Sequence, residues 1–194
     1  MIYAEYTVCQ QLTRQELVAH ANGSLVSDPP SEFATLPLPP MLMVDRVTEI
    51  VRNGSRGRIC AEQDVNLDAW YFLCHFRNDP VQPGSLGVDA VWQLIGLYLT
   101  LCGARGAGRA LGCGAVEFEG QIRPYNRCVR YEIEIDRISM SPKDGTGVAI
   151  ATARVLVDGV VVYKIGRAKV ATFLGIGYTQ YPNQGPNCVG GLLL

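Results

Sequence analysis

From Leu86 to Cys102 the chain carries an apolar run that, wound as a helix, has no wet side. Pro83-Gly84 opens the run, and a helix over residues 85–101 is roughly 25 Å long at ~1.5 Å per residue. A helix apolar on nearly every face must be enclosed by lipid or by protein. The length approaches a membrane span, but Asp89 and Gln93 interrupt it, so a buried core helix is the better reading. The second half of the chain supplies the wrapping. Residues 129–136 alternate, apolar at odd positions and charged at even ones, as a strand with one wet face does. Residues 116–122 alternate as well. Residues 147–157 and 160–173 are strand-like and joined by Asp158-Gly159, a two-residue hairpin signal. The expected fold class is therefore α+β: an antiparallel sheet laid against, or wrapped around, one long apolar helix.

The first half is read from its punctuation. Thr13-Arg-Gln-Glu16 is a capping box that predicts a short helix to about Ala21, ended by Asn22-Gly23. Residues 28–40 hold five prolines and form an extended loop. Residues 41–51 and 58–65 read as strands, 66–72 as a helical turn with three aromatics, and 74–84 as a loop. The glycine-rich stretch 103–114 reads as a helix C-cap and linker. It contains Gly106-Ala-Gly108, but no strand precedes it, so a dinucleotide loop is a poor match. Residues 175–194 lack periodicity and read as a loosely ordered tail, or one docked on a partner subunit. One domain over 1–194, with its core at 12–173, accounts for the whole.

Composition narrows the function classes. The net charge is −1, which offers no basic footprint for nucleic acid. Seven cysteines and two histidines are present, with no C-x-x-C and no metal-ligand spacing. The expectation is a reduced cytoplasmic protein that needs no metal and no organic cofactor. The stretch Met1–Gln11 lacks a basic start followed by an apolar run, so no signal peptide is expected.

The chemistry concentrates between Cys74 and Leu99. His75 stands where a loop containing Asp79-Pro80 and Pro83-Gly84 begins, and Asp89 stands one turn inside the apolar helix. A carboxylate there is costly unless paired or used. Each residue alone admits a structural account: an aspartate satisfied by a neighbouring donor or by the helix N-terminus, and a histidine serving packing. Together, around a Pro-Gly helix start, they raise the functional reading.

The segment LCHFRNDPVQPGSLGVDAVWQLIGLYL (73–99) resembles the active-site region of the bacterial β-hydroxydecanoyl-acyl carrier protein dehydratases. So do GRALGCGAVEFEGQI (108–122), MLMVDRV (41–47) and VDG (157–159) with Tyr163. The resemblance runs from about Leu12 to Phe173 and is gapless in its central motif. It implies the hot-dog fold, an antiparallel sheet around one long helix, and a homodimer whose active sites draw on both subunits. It implies His75 and Asp89 as the catalytic pair and the Gly84 N–H as the donor to the substrate oxygen. The substrate tunnel is expected to be lined by Phe76, Val81, Pro83, Trp92 and Gln93.

The implied reaction removes water from a (3R)-hydroxyacyl thioester carried by acyl carrier protein. An imidazole takes the C2 proton, backbone N–H groups at a helix start hold the enolate oxygen, and Asp89 gives the leaving hydroxyl a proton or holds the water that does. Asp at position 89, where the non-isomerising relatives carry Glu, implies isomerisation to the cis-3-enoyl product as well. Three departures stand out: Gln82 replaces an apolar residue, Ser85 a cysteine, and the end of the last strand (171–173) with the tail differs from familiar members; the pathway is therefore fatty-acid biosynthesis or a related polyketide or polyunsaturated acyl one. The alternatives on the same fold are an acyl-thioester hydrolase and a non-catalytic acyl-binding protein.

Overall fold

The computed structural model describes residues 1–177. The tail expected over 175–194 falls, from residue 178 on, outside the described residues. Two short helices, α1 (Tyr3–Val8) and α2 (Arg14–Ala21), come first. Strands β1 (Arg46–Asn53) and β2 (Arg56–Asp64) follow, then a 3-10 turn (Trp70–Leu73) and the long helix α3 (Gly84–Leu101). Strands β3 (Ala107–Gly112), β4 (Val116–Phe118), β5 (Cys128–Met140), β6 (Gly147–Val157) and β7 (Val160–Phe173) complete the order.

The strands form one antiparallel sheet in the order β1-β2-β5-β6-β7-β3, with β4 also paired to β7. This is the expected α+β arrangement, because α3 lies against β2, β5, β6 and β7. Val129, Tyr131, Ile133 and Ile135 of β5 point at the helix, while Arg130, Glu132 and Glu134 point outward. The outward residues interlock as ion pairs, with Arg130 bridging Glu62 and Glu132, and Arg154 reaching Glu132. A bulge between Ile135 and Arg137 then shifts the alternation. Leu94, Ile95, Tyr98 and Leu99 of α3 are fully buried. The helix is long and apolar enough to cross a membrane, yet most of its residues are buried within the protein. It approaches β7 closely at Gly87, where an added Cβ would lie 2.6 Å from the Tyr163 ring.

The capping box of α2 is present in both directions, Glu16 N–H to Thr13 Oγ1 at 3.3 Å and Thr13 N–H to Glu16 Oε2 at 2.7 Å. The Asp158-Gly159 hairpin joins β6 and β7 at the expected residues. Other expectations need correction. The strand read over 41–51 begins only at Arg46, because residues 41–43 turn aside to bond Gln93 of α3. The stretch 103–114 is not a plain linker: it holds β3, whose glycines conceal a strand recognised only through its backbone pairing with β7. The alternating stretch 116–122 yields a strand of three residues. Helix α1 carried no signal beyond a mixed N-terminus, and it is fixed by burial of Tyr6.

Candidate active site

The loop before α3 is tied down at both ends. Val81 N–H donates to His75 O at 2.8 Å, and Phe76 N–H to Asp79 O at 2.8 Å. Arg123, from the stretch between β4 and β5, pairs with Asp79 and donates to Pro80 O at 3.1 Å. Gln82 N–H reaches Ile122 O at 2.9 Å. The loop is thereby a rigid bracket for His75. The His75–Phe76 peptide bond is cis.

His75 Nδ1 lies 2.9 Å from Val81 O. A carbonyl oxygen can only accept, so Nδ1 carries the ring proton and the Nε2 lone pair is left free. No hydrogen bond reaches Nε2 among the described residues. The ring packs on Phe76 at a centroid distance of 3.7 Å, and Phe76 itself is 56% exposed.

Helix α3 begins at Gly84 with Pro83 in the N-cap position and no side-chain cap. The first-turn amides of a helix lack the usual intrahelical acceptor. Leu86 N–H turns to Pro83 O at 3.0 Å, while among the described residues no hydrogen bond takes the Gly84 N–H, so this end presents that N–H and the positive end of the helix dipole. At 84 an added Cβ would sit 2.6 Å from the Phe118 ring, so any larger residue there must push that ring aside.

Asp89 lies one turn further on, half-buried. Its Oδ2 accepts from Gln93 Nε2 at 2.6 Å. Gln93 is buried, and its amide also donates to Met41 O at 2.7 Å and accepts from Met43 N–H at 3.1 Å. The neighbouring donor that a structural account of Asp89 would require is therefore present. It fixes one carboxylate oxygen while the group still faces a cavity of about 320 Å³.

That cavity follows one stripe of α3, from Asp89 past Trp92, Gln93 and Gly96 to Thr100. The opposite walls come from the loop at 34–37, from β3 and from Val170 and Thr172 of β7. Trp92 Nε1 donates to Gly112 O at 3.4 Å, which holds β3 against the helix. The inner end is polar. His20 is 1% exposed, and its Nδ1 accepts from Leu36 N–H at 3.3 Å. Its proton is thus on Nε2, which donates to Tyr6 Oη at 3.0 Å. Tyr6 Oη donates to Thr100 Oγ1 at 2.7 Å, and Thr100 donates to Leu97 O at 2.8 Å. Burial pushes the His20 pKa down to about 4 and that of Tyr6 up.

Of the residues anticipated from sequence, Asp89, Trp92 and Gln93 share this cavity. His75, Phe76, Val81, Pro83 and Gly84 do not line it within one chain. Sequence reasoning missed His20, Thr100 and Thr172. The only signal was that His20 is one of two histidines, and nothing local ties it to α3. Gln82 is buried next to the Tyr131 hydroxyl without a well-formed hydrogen bond of its own. Tyr131 donates instead to Gln63 Oε1 at 3.0 Å. Among the described residues no cluster of metal-ligating side chains occurs.

Comparison with solved structures places the fold. The chain superposes on the dehydratase heterocomplex ApeI:P from Xenorhabdus doucetiae with a TM-score of 0.50 and 14% identity, over 70% of this chain and 85% of that one. A protein of uncharacterised function from Erwinia carotovora subsp. atroseptica gives a TM-score of 0.45 at 15% identity, over 66% and 93%. A hypothetical thioesterase with coenzyme A from Streptococcus pneumoniae TIGR4 gives 0.46 at 11%, over 65% and 85%. At such identities the first of these speaks for the hot-dog fold alone. The sequence itself goes further: residues 36–166, well over half of the chain, match the model of the FabA-like domain, and the chain belongs to that family.

Proposed function

We propose that the protein dehydrates a (3R)-hydroxyacyl thioester on acyl carrier protein to the trans-2-enoyl thioester. The observation that carries this reading is the fixed tautomer of His75: Nδ1 donates to a carbonyl and Nε2 is open. In the proposed step Nε2 takes the C2 proton, which the thioester acidifies. Charge moves to the thioester oxygen, held by the uncapped N-terminus of α3 at Gly84. The C3–O bond then breaks, the double bond forms between C2 and C3, and the hydroxyl leaves as water with a proton from Asp89 or from a water that Asp89 holds. Gln93 keeps the Asp89 carboxyl group in place through Oδ2. Isomerisation to the cis-3-enoyl thioester would use His75 again, moving a proton between C4 and C2. No step calls on a metal or organic cofactor.

The site is proposed to be shared across a cytoplasmic homodimer. In support, Asp89 lines the cavity of one chain and His75 does not. Phe76 beside His75 and Phe118 beside Gly84 leave 56% and 55% of their surface exposed, so a partner could pack on both. Strand β3 ends the sheet with an edge that no described strand covers.

Incubation with 3-hydroxydecanoyl thioester distinguishes the readings. Dehydration is read as loss of water by mass, thioester hydrolysis as release of thiol. Release of thiol alone, or no reaction, overturns the proposal. Sharing is tested by co-refolding His75→Ala with Asp89→Asn chains. Half the dimers are mixed and hold one intact site of two, so activity recovers to about a quarter of wild type. No recovery despite proven heterodimers overturns the shared site.

A further inference from the structure

The cavity beside Asp89 ends on a wall of unusual construction. His20, Tyr6 and Thr100 come from α2, α1 and α3 and close into one chain of hydrogen bonds. It runs from Leu36 N–H through the His20 ring, Tyr6 Oη and Thr100 Oγ1 to Leu97 O. Every hydrogen in the chain has an acceptor. A lone Leu or Met at this place could rotate aside, whereas moving any member here strands a buried polar group. The rest of the cavity is open along the helix: a Cβ at Gly96 would meet nothing closer than Val170 Cγ1 at 3.9 Å, and one at Gly108 nothing within 4 Å.

We infer that this network is an end-stop that sets the longest acyl chain the site accepts, with Thr100 as the residue the chain end meets and Gly96 as the residue that keeps the path clear. The inference rests on the reading that the acyl chain of the substrate lies in this cavity, with its C3 at Asp89. Asp89 and Thr100 are eleven residues apart on one helix, about 16 Å along the axis. Contact distances of about 3.5–4 Å at each end leave about 9 Å for the chain. An extended chain advances roughly 1.2 Å per bond, a third of the span of one extended residue. About seven or eight bonds fit beyond C3, so the limit falls near ten to eleven carbons in total.

The test is a binding series that does not depend on turnover. Trp92 lines the cavity, and in a Trp70→Phe background it is the sole tryptophan. Its fluorescence is titrated with saturated acyl-N-acetylcysteamine thioesters of increasing length. Affinity should rise with each methylene up to the limit and then fall about tenfold or more, as overpacking forces the wall aside. Thr100→Gly should move the break to longer chains, and Gly96→Leu should move it to shorter ones. Each variant is used only with a cooperative melt, and Gly96→Leu alone suffices if Thr100→Gly does not fold. A break that stays put in folded variants, no break at all, or no Trp92 response to any thioester overturns the end-stop. A break that moves as expected in a protein that dehydrates nothing keeps the end-stop and rejects the catalytic reading.

Discussion

The two histidines of this chain are held in opposite ways. At His20 a backbone N–H faces Nδ1 and a phenol oxygen faces Nε2, so both nitrogens are engaged and the ring is 1% exposed. At His75 a carbonyl faces Nδ1 and no hydrogen bond reaches Nε2 among the described residues. A donor on Nδ1 forces the proton to Nε2, and an acceptor on Nδ1 does the reverse. The partner's type, more than the ring's depth, separates a structural imidazole from a candidate base. The surroundings repeat the contrast. Around His20 the hydrogens all find acceptors, while among the described residues the His75 region leaves Nε2, the backbone N–H of Gly84 and the side-chain amide of Gln82 without well-formed bonds. Polar groups left open in this way are uncommon and call for a reason.

The contrast breaks first if the wrong histidine matters for chemistry. His75→Ala is expected to lower dehydration by about 10²–10⁴-fold while the melting temperature holds. Turnover within a few-fold of wild type in a well-folded variant would erase the distinction. His20→Ala should act on the fold, since it removes the donor to Tyr6 Oη and the acceptor of Leu36 N–H and leaves a void. A loss of about 2–4 kcal/mol is expected in urea unfolding, and an unmoved midpoint would make the network incidental.

Acid sharpens the comparison. Burial lowers the His20 pKa to about 4 from 6.5. Between those values the unfolded chain binds a proton that the folded chain refuses. The contribution is complete above about pH 6.5 and fades as the pH falls toward 4, by up to about 3 kcal/mol. A pH–stability curve should show this slope, and His20→Gln should flatten it. An identical slope in the variant would assign the acid loss to other groups.

The smallest effect concerns Gln82. Replacing its buried amide by the apolar Gln82→Met should stabilise by about 1 kcal/mol, without disturbing the Val81 carbonyl that orients His75. Destabilisation would mean the amide has a partner of consequence.

Much of this was legible along the chain. Apolar residues on every face of 85–101 require an enclosure. The two-residue period of β5 and the Asp-Gly hairpin supply a sheet to make it, and the family motif runs through His75, Gly84 and Asp89. These signals are local, carried by side chains that repeat with the period of their own element. Strand β3 was not legible, because glycines carry no such period and pairing with β7 alone defines it. Nor was the fate of residues 41–43, which a buried Gln93 draws away from the sheet.

Tertiary structure alone decided the state of the side chains. Sequence named two histidines, but which nitrogen of each carries the proton depends on Leu36 and Tyr6 for one and on Val81 for the other. The cavity is likewise a property of assembly: Asp89 and Thr100 share a helix stripe, but the ring that closes its end arrives from α2, 80 residues from Thr100. Periodicity reports which face of an element is buried. It does not report what is buried against that face, because hydrogen bonds are short and directional and are settled only when distant segments meet.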